Sequence, residues 1–133
     1  MRQTLFLSVL VAATVAAPAP GGQNRDPDTA ELVFSDIDLF WKALDASKPE
    51  NRAEVLKAEY LEKGSVGLKE FLRARIHSAE NLAATIGKHP KYYAALREPS
   101  LKVSAHKEAI RASFRKLKEL YEPAVFPNVY FLI

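Results

Sequence analysis

Apolar residues recur at helical spacing along most of the chain. The first such run lies over residues 36–46, where apolar positions at i, i+3, i+4 and i+7 predict an α-helix with one buried face. Ser35 precedes the run, and its hydroxyl is expected to accept from free N–H groups of the first turn. Asp36 and Asp38 place negative charge at the positive end of the helix dipole. The apolar face consists of Ile37, Phe40, Trp41 and Leu44.

Two more helices are predicted in the middle of the chain. One begins near Pro49, which is tolerated in a first helical turn, and ends at Gly64. The next follows Ser65, a second candidate cap, and its apolar residues keep helical spacing from Leu68 to Ile86. This spacing predicts one continuous rod of roughly 28 Å.

The last third of the chain predicts two further helices. A short helix around Tyr92 and Tyr93 is expected to end at Pro99. Ser100 is then expected to cap a long final helix, which Pro123 terminates. The apolar face of that helix consists of Val103, Ile110, Phe114, Leu117 and Tyr121.

Two short β-prone runs flank the helices, at residues 31–34 and 128–133. The second run has apolar residues at both parities, so both faces of a strand would be buried. The first run is the only candidate for its partner. Either the two strands pair as a minimal ribbon under the helices, or further strands would follow Ile133. The second interpretation is preferred because two-stranded sheets are marginally stable.

The sequence therefore predicts a mainly α fold. We expect a helical subdomain of about five helices with one or two short strands, forming the N-terminal part of a larger α+β fold. Residues 1–16 are assigned to a signal peptide and residues 17–30 to a flexible linker. Residues 31–133 are assigned to the helical domain, which ends in an incomplete sheet strand.

The signal-peptide prediction rests on three features of the first residues. Arg2 gives a positive start, residues 5–15 are apolar, and residues 16–19 are small enough for a cleavage site. The apolar run is shorter than the roughly 17 to 25 residues of a transmembrane helix, although an uncleaved membrane anchor is the alternative. We therefore expect export, to the periplasm or the medium, with no stable membrane span after cleavage.

Length, net charge and composition limit the functions that this chain could have. The chain has 133 residues, enough for one modest core. Its formal net charge of +3 is too small to indicate a nucleic-acid partner. It contains no cysteine, which excludes disulfides, thiolate-bound metals and a thiol nucleophile.

No residue is assigned a catalytic, cofactor-binding or metal-binding role. His77, His89 and His106 are too far apart for the two helical imidazoles that an HExxH zinc site needs. Asp36 and Asp38 are explained by the helix dipole. The serines, none of them in a GxSxG setting, are explained as caps or solvated positions; they are Ser35, Ser65, Ser78 and Ser113.

A basic stretch on the last helix could contact phosphates or an anionic surface. Glu108 and Glu119 interleave with it, which favours an ordinary solvated face. The stretch consists of Arg111, Arg115, Lys116 and Lys118.

Five segments occur in order along the chain: FSDIDLFWKALD at 34–45, GSVGLKEF at 64–71 with Arg75 and Ile76, KYY at 91–93, YEP at 121–123 and FPNVYFLI at 126–133. This ordered set resembles the N-terminal half of a bacterial family of exported, predicted zinc-dependent proteases. The resemblance implies that the last strand continues into more sheet and that an HExxH helix comes later, so this chain is truncated before the zinc motif. Zinc is thus implied for the full-length family, and no cofactor is expected in this chain.

Two functions from different classes follow from these patterns. The first is a non-catalytic scaffold segment of such a peptidase. The alternative is a free-standing secreted helical module that recruits a peptide or protein partner, or a second copy of itself, by strand-edge pairing.

Overall fold

The computed structural model describes residues 24–133, and this part of the chain has a mainly α fold. Residues 1–16 of the predicted signal peptide and residues 17–23 of the predicted linker lie outside the described residues. Two short strands flank the helices, β1 (Leu32–Val33) and β2 (Val129–Tyr130). The helices are α1 (Ser35–Ala46), α2 (Arg52–Leu56), α3 (Val66–Phe71), α4 (Ala79–Lys88), α5 (Pro90–Leu101) and α6 (Lys107–Leu120). Two π-helical turns, Lys57–Leu61 and Leu72–Ile76, continue α2 and α3, and a 3₁₀ turn, Val103–His106, precedes α6.

The core is built around α1, which contacts α2, the first π-helical turn and α5. Phe40 and Tyr60 are fully buried, with ring centroids 5.3 Å apart in an edge-to-face arrangement. Trp41 also packs edge to face with Phe40, with ring centroids 4.9 Å apart. The apolar face predicted for α1 is therefore the centre of the core. The other buried members of this cluster are Ile37, Ala43, Leu56, Leu61, Leu68, Ile76, Ala79, Leu82 and Ile86.

The start of α1 differs from the prediction. Ser35 is the first residue of the helix rather than its cap, and Phe34, which flanks the helix, makes no side-chain capping bond. Asp36 lies in the first turn, as predicted, and is fully buried. Its carboxylate also accepts from Ser65, 29 positions along the chain, a contact that the position in the first turn does not predict.

The predicted start of the second helix is also wrong. That helix begins at Arg52 rather than at Pro49. The side-chain oxygen of Asn51 accepts from the backbone N–H of Lys48 at 2.7 Å, and the N–H of Asn51 donates to the Lys48 carbonyl at 3.1 Å. These bonds stabilise a turn around Pro49 and delay the helix.

The rod predicted from Leu68 to Ile86 is not continuous, because the chain turns sharply at His77. His77 has a positive φ of 67° with ψ of −47°. The N–H of Ser78 donates to the carbonyl of Ile76 at 2.9 Å, which makes His77 the centre of a γ-turn. Apolar spacing continues across the turn because the segments on both sides bury residues in the same core. The pattern therefore does not reveal the break.

Replacing His77 with glycine is expected to stabilise the protein by about 1 kcal/mol, since a side chain at positive φ strains the backbone and glycine does not. The measurement is the midpoint of urea unfolding. His89→Gly is the matched control. His89 flanks the other end of α4 with φ of −127°, so glycine relieves no backbone strain there. Equal or lower stability of His77→Gly relative to the control would contradict this account.

The helix containing Tyr92 and Tyr93 does not end at Pro99, as predicted, but runs on to Leu101. Ser100 lies inside this helix and is buried, so it does not cap the next one. Its hydroxyl accepts from Trp41 Nε1 at 2.9 Å and donates to the Arg97 carbonyl at 2.9 Å. The need of a buried indole N–H for an acceptor explains its position better than capping does.

The two strands pair in parallel, with Leu32 opposite Val129 and Val33 opposite Tyr130. The N–H of Val129 donates to the Glu31 carbonyl at 2.8 Å, and that of Phe131 to the Val33 carbonyl at 2.9 Å. The predicted partner of the last strand is therefore confirmed. Each strand has one strand neighbour within residues 24–133.

A second, smaller cluster joins α6 to residues 24–30, a stretch assigned to the linker by sequence. Ala30 and Phe126 are buried here, and Phe114 of α6 packs against them. Arg111 Nη1 donates to the Pro27 carbonyl at 2.9 Å. Residues 24–30 therefore pack on the domain, while α6 contributes no buried residue to the main core.

Candidate functional site

Three segments that are distant in sequence meet around the strand pair. Asp36 of α1 accepts from the Ser65 N–H at 2.9 Å and from the Ser65 hydroxyl. The same hydroxyl accepts from the N–H of Leu68 at 3.2 Å, which confirms Ser65 as the cap of α3. The starts of α1 and α3 are thereby fixed to each other through one buried carboxylate.

The start of α3 is in turn fixed against β2. Gly67 lies so close to Tyr130 that a Cβ at residue 67 would fall 2.2 Å from the ring carbon Cγ. Phe34 follows β1 and Phe131 follows β2, and their rings stack with centroids 4.4 Å apart and planes inclined by 14°. Helix starts and strands thus form one packed junction, which we call the sheet junction.

Tyr60 connects the segment after β2 with the core. Its hydroxyl donates to the carbonyl oxygen of Ile133 at 3.0 Å. Burial raises the pKa of this phenol strongly, so Tyr60 stays neutral and acts as a donor. The sequence gives no signal for this bond, because Tyr60 and Ile133 are 73 positions apart.

An apolar groove of about 500 Å³ lies beside the segment that follows β2. Leu132 and Ile133 form one wall and are half-buried. The opposite wall comes from α1, α5 and the 3₁₀ turn, where Ile37, Leu96 and Val103 line the groove. We call this the sheet-end groove. Such a lining suits apolar side chains, with hydrogen bonding left to backbone groups of the strand.

The candidate histidines are not brought together. His77 forms the γ-turn, His89 lies between α4 and α5, and His106 ends the 3₁₀ turn. Within residues 24–133, no group of three His, Asp or Glu side chains is arranged to hold a metal ion. These donors do not fit the zinc ion that the resemblance implies for the longer family.

Local hydrogen bonds account for two of the remaining candidate serines. Ser78 Oγ accepts from the N–H of Asn81 at 3.1 Å and caps α4. Ser113 donates to the Ala109 carbonyl at 3.0 Å on α6.

The basic stretch on α6 is engaged by neighbouring groups. Arg115 pairs with Asp28 at 2.6 Å, and the hydrogen bond from this guanidinium lowers the pKa of the Asp28 carboxyl. Lys116 pairs with Glu119 at 2.8 Å, and Lys118 with Glu122 at 3.3 Å. These exposed pairs contribute little to stability, but they reduce the charge available to an anionic partner.

Comparisons with known proteins give no match, either to protein-family models, to curated proteins or to solved structures. Among the described residues, no helix has the length and apolar character needed to cross a membrane.

Proposed function

We propose that this chain is a non-catalytic scaffold segment of the kind expected in the N-terminal half of an exported zinc-dependent peptidase. In this role, the helices hold the parallel strand pair in a fixed position, and the sheet accepts a further strand beside β2. The observation that carries the proposal is the sheet junction. The segments FSDIDLFW, GSVGLKEF and FPNVYFLI, which carry the family resemblance, supply its contacts.

The geometry of the strand pair supports sheet extension. Parallel strands are normally found in larger sheets covered on both faces, and a two-residue pair contributes little stability alone. In a parallel ladder, alternate residues bond to one neighbour and the residues between them face the other side. Val129 and Phe131 donate to β1, so the backbone groups of Tyr130 face away from it. The side away from β1 is where a further strand would add.

The apolar side chains at the sheet-end groove support the same proposal. A strand added beside β2 would carry apolar side chains on the face that meets Leu132 and Ile133, which are half-buried beside the groove. Burial of apolar side chains stabilises by about 25 cal/mol per Å². Export is part of the proposal and rests on the signal-like pattern of residues 1–19.

Amide hydrogen exchange tests the open edge. We expect slow exchange at Val129 and Phe131, whose N–H groups are bonded to β1, and faster exchange at Tyr130 and Leu132. The measurement is residue-resolved exchange by NMR on the purified chain at low concentration. Equally slow exchange at all four amides would contradict an open edge.

The same sample is assayed for casein hydrolysis with and without zinc, and zinc-dependent hydrolysis would contradict a non-catalytic role.

A free-standing binding module is the second candidate, favoured by the half-buried Leu132 and Ile133 beside the groove. A partner strand from another molecule would use the same edge. In this case the exchange at Tyr130 should slow as the protein concentration rises, together with the appearance of dimers in light scattering. The scaffold role requires no such dependence.

A further inference from the structure

A second groove, of about 600 Å³, lies among α1, α2, α4 and α5. Its apolar lining includes Trp41, Leu44 and Ile86, and two arginines, Arg52 and Arg97, also line it. We call it the arginine groove. Its volume lies within the range of about 300 to 1,000 Å³ that is typical of ligand sites.

Arg97 is held in place by its neighbours. It donates through both terminal nitrogens to the carboxylate of Asp45, with Nη1 2.7 Å from Oδ1. Its guanidinium carbon also lies 5.2 Å from the centroid of the Trp41 ring. Asp45 therefore balances the charge of Arg97 and fixes its orientation.

Arg52 is different, because its charge is not balanced in this way. Its Nε is buried and has no hydrogen-bond partner within residues 24–133, and no carboxylate of this part of the chain forms an ion pair with it. A buried donor without an acceptor costs about 1 to 3 kcal/mol, and more when it is charged. The planar guanidinium matches a carboxylate, which accepts two parallel N–H bonds.

Because Nε has no exposed surface, a ligand would bind the terminal nitrogens of the Arg52 guanidinium. The groove combines the Arg52 side chain with an apolar floor and an open end. A carboxylate on Arg52 would place the group attached to it against Leu44, Ile86 and the Trp41 ring. Gly87 lies at the rim, and no atom comes within 4 Å of the position that a Cβ would take there. This opening leaves space for the rest of a chain.

From these contacts we propose that the arginine groove binds the C-terminal carboxylate of a peptide whose last residue is apolar. Arg52 pairs with the carboxylate, the last side chain packs on Leu44 and Ile86, and the preceding residues leave past Gly87. Arg97 stays paired with Asp45 beside the Trp41 ring. The proposal is independent of sheet extension, since it uses neither the open edge of β2 nor the sheet-end groove.

Fluorescence titration of the full chain tests this site, because Trp41 is its single tryptophan and lines the groove. The probes are N-acetyl-Gly-Gly-Leu and the same peptide with a C-terminal amide. We expect the free acid to bind at least about tenfold more tightly than the amide. Arg52→Gln should reduce acid binding to the level of the amide. Arg75→Gln is the matched control, because Arg75 is exposed and does not line the groove, and it should bind as the unaltered chain does.

Equal affinity for acid and amide would overturn the proposal without the use of any variant, so it stays testable if Arg52→Gln unfolds. Undiminished binding by a folded Arg52→Gln protein would also overturn it. N-acetyl-leucine serves as a small-acid probe, and binding as tight as that of the tripeptide would refute the assignment to a peptide terminus. The amide exchange pattern of β2 is unaffected by any of these outcomes.

Discussion

Replacing Asp36 with alanine is expected to lower the free energy of unfolding by about 3 kcal/mol. The carboxylate is fully buried and accepts from both the N–H and the hydroxyl of Ser65. Hydrogen bonds to a charged group contribute about 1.5 to 3 kcal/mol, and the partly buried Ser65 N–H would lose its acceptor. Urea unfolding, followed by circular dichroism, measures the change.

Asp38→Ala is the matched control for this variant. Asp38 lies in the same first turn but is exposed, so its loss removes only a dipole interaction of less than about 1 kcal/mol. A double-mutant cycle of Asp36→Ala and Ser65→Ala isolates the interaction between the two side chains, and we expect a strong coupling between the two substitutions. If Asp36→Ala destabilises no more than Asp38→Ala, the link between α1 and α3 does not hold the fold together.

Replacing Gly67 with alanine is expected to destabilise the protein by about 2 kcal/mol, even though alanine favours helix. The new methyl group would lie 2.2 Å from Cγ and 2.6 Å from Cβ of Tyr130, so α3 and β2 would have to separate. Faster exchange of the Val129 amide should accompany the loss of stability. Both effects are measured on the same protein, by urea unfolding and by NMR.

Gly87→Ala is the control, because Gly87 is also helical and a Cβ there would meet no atom within 4 Å. It should stabilise by about 0.5 to 1 kcal/mol, as expected for an open helical position. Tyr130→Gly removes the whole clashing side chain and should therefore reduce the cost of Gly67→Ala. An equal cost in the two backgrounds would show that the close approach is not the cause.

Helices with strong apolar spacing could be predicted from the sequence, whereas breaks and ends that leave the spacing unchanged could not. The face of α1 around Phe40 was predicted because its burial repeats with the helical period. The γ-turn at His77 was missed because histidine is not a turn residue and the apolar pattern runs through it. Pro99 was taken as a helix end, and the helix continues to Leu101.

The contacts that define the two candidate sites depend on residues far apart in sequence. The pairing of the two strands could be predicted, since only one other β-prone run exists. The burial of Asp36 could not, because its partner Ser65 is 29 positions away. The same holds for the pair of Arg97 with Asp45, 52 positions apart, which no local motif indicates.

The strand pair also determines the order in which the domain is expected to assemble. The hydrogen bond from the Glu31 N–H to Asn128 Oδ1 closes a loop in which the two residues are 97 positions apart. Bringing such distant residues together costs chain entropy, whereas the helices form from nearer neighbours. We expect the helical core to form first and the strands to pair last. The strands would then also be the first part to open, leaving most of the core contacts in place while a new strand is admitted.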